Sequence, residues 1–202
     1  MTRSRPAIGP WLTVRLAARL LSCGVIVVGL AQAGNADQAA LAPLLKTLDL
    51  REYASRTAPP AFSGSTLDAR PLSIREYRGS VVILNFWASW CRECRPEMPV
   101  LERLHREFSS RGLIIIGVNA RETQDAARRY ARELGLTFPL VLDQDGRINA
   151  LYGVVGLPTT FVIGRDGRAV GLAVGPRQWE SAPARTLIAS LLAEPAPPPV
   201  VQ

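Results

Sequence analysis

Val81-Val82-Ile83-Leu84-Asn85-Phe86-Trp87 runs straight into Ala88-Ser89-Trp90-Cys91-Arg92-Glu93-Cys94-Arg95-Pro96-Glu97-Met98-Pro99. The first seven residues form a nearly unbroken apolar run, the pattern of a strand buried on both faces. From Cys91 onward Met98, Leu101, Leu104 and Phe108 recur at helical spacing, and Gly112 lies just past the end, so a helix is expected over 91–108. The two cysteines then stand where a buried strand becomes a helix. At a helix N-terminus the unpaired N–H groups and the macrodipole favour negative charge, so a sulfur there is held as thiolate at lower pH. Cys91 is the expected nucleophile. Cys94, three residues on and nearly one turn along the same face, can attack a mixed disulfide formed on Cys91 and act as the resolving thiol. Pro96 removes a donor early in the helix at small cost, whereas Pro99 is expected to kink it.

Downstream the pattern alternates. Leu113-Ile114-Ile115-Ile116-Gly117-Val118 reads as a second buried strand, 122–134 as an amphipathic helix and 139–142 as a short third strand, an alternation that implies parallel pairing. Asp143-Gln144-Asp145-Gly146 is a turn. Strands over 159–163 and 169–174 are joined by Gly164-Arg165-Asp166-Gly167, a link short enough to make them antiparallel. A last helix is expected over 178–192. Upstream, Leu67-Asp68-Ala69-Arg70-Pro71-Leu72 resembles a hairpin entering the domain, 56–65 reads as a Pro/Gly/Ser linker and 37–50 as a short helix. The fold class is α/β: a mixed central sheet flanked by helices on both faces, in three layers. The expected division is 1–33 an export signal or membrane anchor, 34–58 a linker with a short helix, 59–193 one domain and 194–202 a disordered Pro-rich tail.

The formal net charge of +7 over 202 residues would suggest an anionic partner, but four of the 24 basic residues, Arg3, Arg5, Arg15 and Arg19, precede Ala33 with no acid among them. The remaining 20 bases face 17 acids, and that near balance implies no nucleic acid. The same arginines form the basic start of an export segment, followed by the apolar stretch 20–30 and the small-x-small site Ala31-Gln32-Ala33. The stretch falls short of the about 20 apolar residues of a comfortable span. Cleavage after Ala33, an uncleaved anchor and lipid attachment at Cys23 are the three readings; the last is weakened because the apolar run follows Cys23 instead of preceding it. The expected location is extracytoplasmic, the periplasm or a comparable compartment, either released or anchored to the inner membrane.

Cleavage at Ala33 leaves two cysteines in an oxidising compartment. A structural disulfide across two intervening residues would remove little unfolded-chain entropy, so a pair this close points to redox work or to metal. A closed zinc site needs four ligands, and His105 is the chain's one histidine. Haem attachment needs a histidine where Arg95 stands. A Cys–His hydrolase would need its base within hydrogen-bond reach of Cys91, and His105 lies more than two turns along the helix, read as surface. Arg128, Arg129 and Arg132 read as a solvated helix face. Neither a metal nor any other cofactor is expected. A non-enzyme alternative remains, a metallochaperone-like module holding copper between the two sulfurs without redox turnover.

At these residues the chain resembles the thioredoxin superfamily, and within it the exported TlpA/ResA/DsbE-like thiol:disulfide oxidoreductases. The resemblance covers about 59–193. It rests on Asn85-Phe86-Trp87-Ala88-Ser89-Trp90-Cys91-x-x-Cys94-x-x-Glu97-x-Pro99 and, far downstream, Gly153-Val154-Val155-Gly156-Leu157-Pro158-Thr159-Thr160-Phe161. The segment 121–142 resembles the extra αβ element of that branch. A peroxiredoxin pattern, with a threonine shortly before a lone cysteine, is not met. The resemblance implies a thioredoxin-like fold and a redox-active disulfide between Cys91 and Cys94. It implies a cis Pro158 facing the dithiol, Leu157 in contact with substrate, and Glu97 near Cys94 managing its proton. Trp90, beside the nucleophile, is expected to line the substrate surface. Asn85 stands where thioredoxin has a buried aspartate, which shifts the proton burden to Glu97. Arg92-Glu93 adds one charge of each sign beside Cys91, and these largely oppose each other. The implied reaction is reduction of client disulfides, as in cytochrome c maturation or copper-site assembly, with a membrane electron-donor thiol protein restoring the dithiol.

Overall fold

The computed structural model describes residues 39–52 and 57–197. The expected export segment, Cys23 and the last residues of the tail lie outside them. The chain divides into two compact units, 1–40 and 41–202, and the second carries the fold. The described residues open with helix α1 (residues 39–47 are helical) and strand β1 (Arg51–Glu52), then β2 (Ser63–Thr66), β3 (Pro71–Ser73) and β4 (Val81–Trp87). There follow α2 (Glu97–Phe108), β5 (Leu113–Ala120), α3 (Gln124–Glu133), β6 (Leu140–Asp143), α4 (Arg147–Leu151), β7 (Thr159–Ile163), β8 (Ala169–Val174) and α5 (Ala182–Ala193). The eight strands make one sheet in the order β1-β8-β7-β4-β5-β6-β2-β3. β4, β5 and β6 run parallel through the crossovers α2 and α3, and every other pairing is antiparallel, so the sheet is mixed.

Alternation along β4 sorts the core into two layers. Val81, Ile83 and Trp87 pack with α1, α2, α3 and α5 on one face. Val82, Leu84 and Phe86 pack on the other with Phe62, Leu72, Ile148 and Tyr152. All seven β4 residues are buried, as the apolar run requires of a strand covered on both sides. Among the described residues no helix is long and apolar enough to cross a membrane.

Several local expectations are corrected. The helix expected from Cys91 begins at Glu97; 92–96 are turns. Pro96 and Pro99 have no N–H, so the carbonyls of Arg92 and Arg95 lack the donors that would carry an α-helical ladder back to the cysteines. Pro99 therefore falls in the first turn of α2, where an N–H would have no intrahelical acceptor, and the reason for a kink disappears. The last helix starts at Ala182, not Gln178, because Ser181 caps it by accepting from Ala184 N–H. Ser63–Thr66, taken as the end of a linker, is a strand because it pairs with β3 and β6. α4 was not anticipated; the Asp143 carboxylate receives the Ile148 and Asn149 N–H groups at 3.0 and 2.8 Å and so starts it from outside. His105 is half-buried against the edge of Phe138, ring centroids 6.1 Å apart, and is not a surface residue. Arg128 is not merely solvated: its Nε donates to the Leu67 carbonyl at 2.8 Å and pins the hairpin turn to α3.

Candidate active site

The cysteines sit at the C-terminal end of β4, where parallel strands deliver the chain to the loop edge. Cys91 and Cys94 are joined in a disulfide, with Cα atoms 5.3 Å apart. Cys91 is 6% exposed and Cys94 fully buried. The Cys94 N–H points at Cys91 Sγ, 3.1 Å away, and the Cys91 N–H donates to Ala88 O at 3.1 Å. With α2 starting only at Glu97, the donor at the first sulfur is this one turn N–H and not a helix end. The loop is clamped from the neighbouring strand. Glu122 accepts from the Ser89 N–H at 2.7 Å, from the Ser89 hydroxyl, and from Asn119 Nδ2 at 2.6 Å.

A cavity of about 590 Å³ opens beside Cys91, and Trp90 and Leu157 share its lining. Trp90 is 66% exposed, whereas Phe86 and Trp87 belong to the core. The Leu157–Pro158 peptide bond is cis. Pro158 O accepts from Gly175 N–H at 2.8 Å, tying the 156–158 loop to the end of β8. Three of the residues singled out from sequence, Trp90, Cys91 and Leu157, thus face one cavity. Glu97 does not join them; it lies beneath, buried on the α2 side of the sheet. Its carboxylate accepts from Asn85 Nδ2 (3.2 Å), Arg177 N–H (3.2 Å) and Trp179 Nε1. Burial raises its pKa above the usual carboxylate range, and the donors from Arg177, Trp179 and Asn85 offset only part of that rise. Asn85 also donates to Thr160 Oγ1 at 2.9 Å, while its Oδ1 is buried without a partner.

Reading along the sequence missed Arg177 and Trp179, which reach Glu97 from 80 and 82 residues away, and Arg121, Asn149 and Val155 on the cavity wall. No local pattern marks the first two. Arg121 carried a signal only in its position, immediately after a buried parallel strand. Among the described residues no cluster of three or more His, Cys, Asp and Glu side chains suited to a metal is present.

A strand-end dithiol facing a cis-proline loop on a mixed sheet with helices on both faces defines a thioredoxin-like protein. The chain belongs to the AhpC/TSA family, which it matches over residues 56–170. It is 35% identical over 111 residues to the thiol-disulfide oxidoreductase ResA of Bacillus thuringiensis subsp. konkukian (strain 97-27), a match spanning 55% of this chain and 64% of that relative. It is 39% identical over 119 residues to the thioredoxin-like protein YneN of Bacillus subtilis (strain 168), spanning 57% of this chain and 69% of YneN. Its fold matches the crystal structure of a thiol:disulfide interchange protein of the thioredoxin family from Chlorobium tepidum TLS with a TM-score of 0.61 and 31% identity, over 71% of this chain and 98% of that one.

Proposed function

We propose that the protein is an extracytoplasmic thiol:disulfide oxidoreductase that reduces disulfides in client proteins. The observation that carries this reading is the asymmetric Cys91–Cys94 pair, its first sulfur at the cavity edge under an N–H donor and its second sealed below. In the reduced state the Cys91 thiolate attacks one sulfur of the client disulfide; the client S–S bond breaks, its other sulfur leaves and takes up a proton, and a mixed disulfide forms on Cys91. The Cys94 thiolate then attacks Cys91 Sγ, forming the intramolecular disulfide and releasing the second client thiol. Two electrons pass from protein to client; the first client sulfur takes its proton from solvent and the second takes the one given up by Cys94. Glu97, a buried carboxyl that keeps its proton to higher pH than usual, is the group to exchange the Cys94 proton. Trp90, Leu157 and the backbone before Pro158 hold the client segment.

An external dithiol, in the resemblance a membrane electron-relay protein, must restore the reduced state. The apolar stretch 20–30 behind a basic start supports placement outside the cytoplasm, cleaved or anchored. Clients with exposed cysteine pairs, as in cytochrome c maturation or copper-site assembly, suit this chemistry. The test is the reduction potential of the Cys91–Cys94 couple in the full chain, equilibrated with redox buffers, with Cys91→Ser as control. A value near about −270 mV is expected of a reductase; one near about −120 mV would make it an oxidant and reverse the electron flow.

A further inference from the structure

Arg121 follows the last residue of β5 in the left-handed region, at φ 55°, although it is not glycine. That conformation strains a residue that carries a Cβ, a strain that glycine would relieve. The turn is held by the Arg121 N–H donating to Asp143 O at 3.0 Å. It sends the arginine side chain across Gly146, where any Cβ would collide with Arg121 Nε. The same residue lines the cavity beside Cys91.

Among the described residues no ion pair engages the Arg121 guanidinium. The acids near it in sequence have other partners: Glu122 accepts from Ser89 and Asn119, Asp143 accepts from Ile148 and Asn149, and Asp145 pairs with Arg147. The charged groups of the lining are Arg92, Glu93 and Arg121, so the wall carries one net positive charge. The same cavity is lined by exposed apolar groups, Trp90 at 66% and Val155 at 91%. Apolar contact and one uncompensated cation fit a peptide segment with an acidic side chain flanking its cystine.

Resting on the oxidoreductase reading, we infer that Arg121 is a specificity-determining residue that selects client disulfides flanked by aspartate or glutamate. The chemistry is the exchange described above; Arg121 orients the client and takes no part in electron transfer.

The test uses the reduced full chain and two symmetric peptide disulfides, identical except for Asp or Lys beside the cysteine. Each rate constant is divided by that of dithiothreitol with the same peptide, which removes the peptides' own reactivity. The wild type is expected to favour the Asp peptide about ten-fold, as when an exposed ion pair replaces a like-charge contact, and the preference should shrink in high salt. Arg121→Gly, which relieves the left-handed strain and so keeps the fold, should bring the ratio to about one. Arg121→Lys should retain most of it and Arg121→Glu should invert it. A wild-type ratio of one, or an unchanged ratio in Arg121→Gly, overturns the inference. So does an equal fall for both peptides, which would assign Arg121 to the Cys91 thiolate instead. Failure of the wild type to reduce either peptide would overturn the proposed function and this inference with it, an outcome distinct from a ratio of one between two peptides that are both reduced.

Discussion

Glu97 is a carboxylate in a place where charge is costly, 4% exposed and surrounded by three donors. Because burial raises its pKa, the folded state binds this proton more tightly than the unfolded chain. Between the two values folding is coupled to proton uptake, so stability falls as pH rises from the usual glutamate range through the raised value, then levels off. Glu97→Gln removes that titration. Its carbonyl can still accept from Arg177 and Trp179, and its amide can meet the unpartnered Asn85 Oδ1 once the Asn85 amide turns over. In urea unfolding of the oxidised protein from about pH 4.5 to 8, the variant should gain on the wild type as pH rises; parallel curves would mean that Glu97 is not held as a buried acid. The position of Glu97, three residues after Cys94, could be read along the chain. Its environment could not, because Trp179 and Arg177 arrive through folding.

The junction between β4 and α2 was legible in its order, strand then dithiol then helix, but not in its geometry. Apolar spacing at Met98, Leu101, Leu104 and Phe108 marks a helix face correctly, yet periodicity does not register where donors are missing, and Pro96 with Pro99 moves the start to Glu97. The turn of the hairpin between Leu67 and Leu72 and the parallel triplet were readable because turn residues and apolar runs decide them locally, whereas the hairpin's first strand, Ser63–Thr66, was read as linker. Close approach between elements was not. On β5, a Cβ at Gly117 would lie 2.7 Å from Leu140 Cδ2 on β6 and 2.8 Å from Trp87 Nε1 on β4. Trp87 in turn stacks on Tyr130 of α3, centroids 5.1 Å apart. Gly117→Ala must therefore push the indole or β6 aside, at an expected cost of about 1–3 kcal/mol. A lowered urea midpoint together with a changed near-UV signal from Trp87 would report it; an unchanged midpoint would mean that the three strands have slack there.

Over the whole molecule, the alternation of apolar runs and helices foretold a mixed, two-faced sheet, but nothing local shows how far the core extends toward the N-terminus. The stretch 34–58, which reads as linker and short helix, sends Leu41, Leu45, Leu48 and Leu50 into the main core. β1 closes the sheet edge against β8, and the Arg177 guanidinium grips Asp49 O and Oδ2 at 2.8 and 2.9 Å. The backbone N–H of that arginine serves Glu97, so this segment braces the loop beneath the dithiol. Leu45, 1% exposed, lies over β8 at Gly171, where a Cβ would come within 3.1 Å of its Cδ2. A leucine in a linker can be cut to alanine for less than about 0.5 kcal/mol, whereas one buried in a packed core costs about 2–5 kcal/mol because the cavity collapses only in part. Leu45→Ala should fall in the second range, seen as a lower urea midpoint at unchanged slope. A shift in the first range would show that the sheet and its dithiol stand without the segment before residue 57.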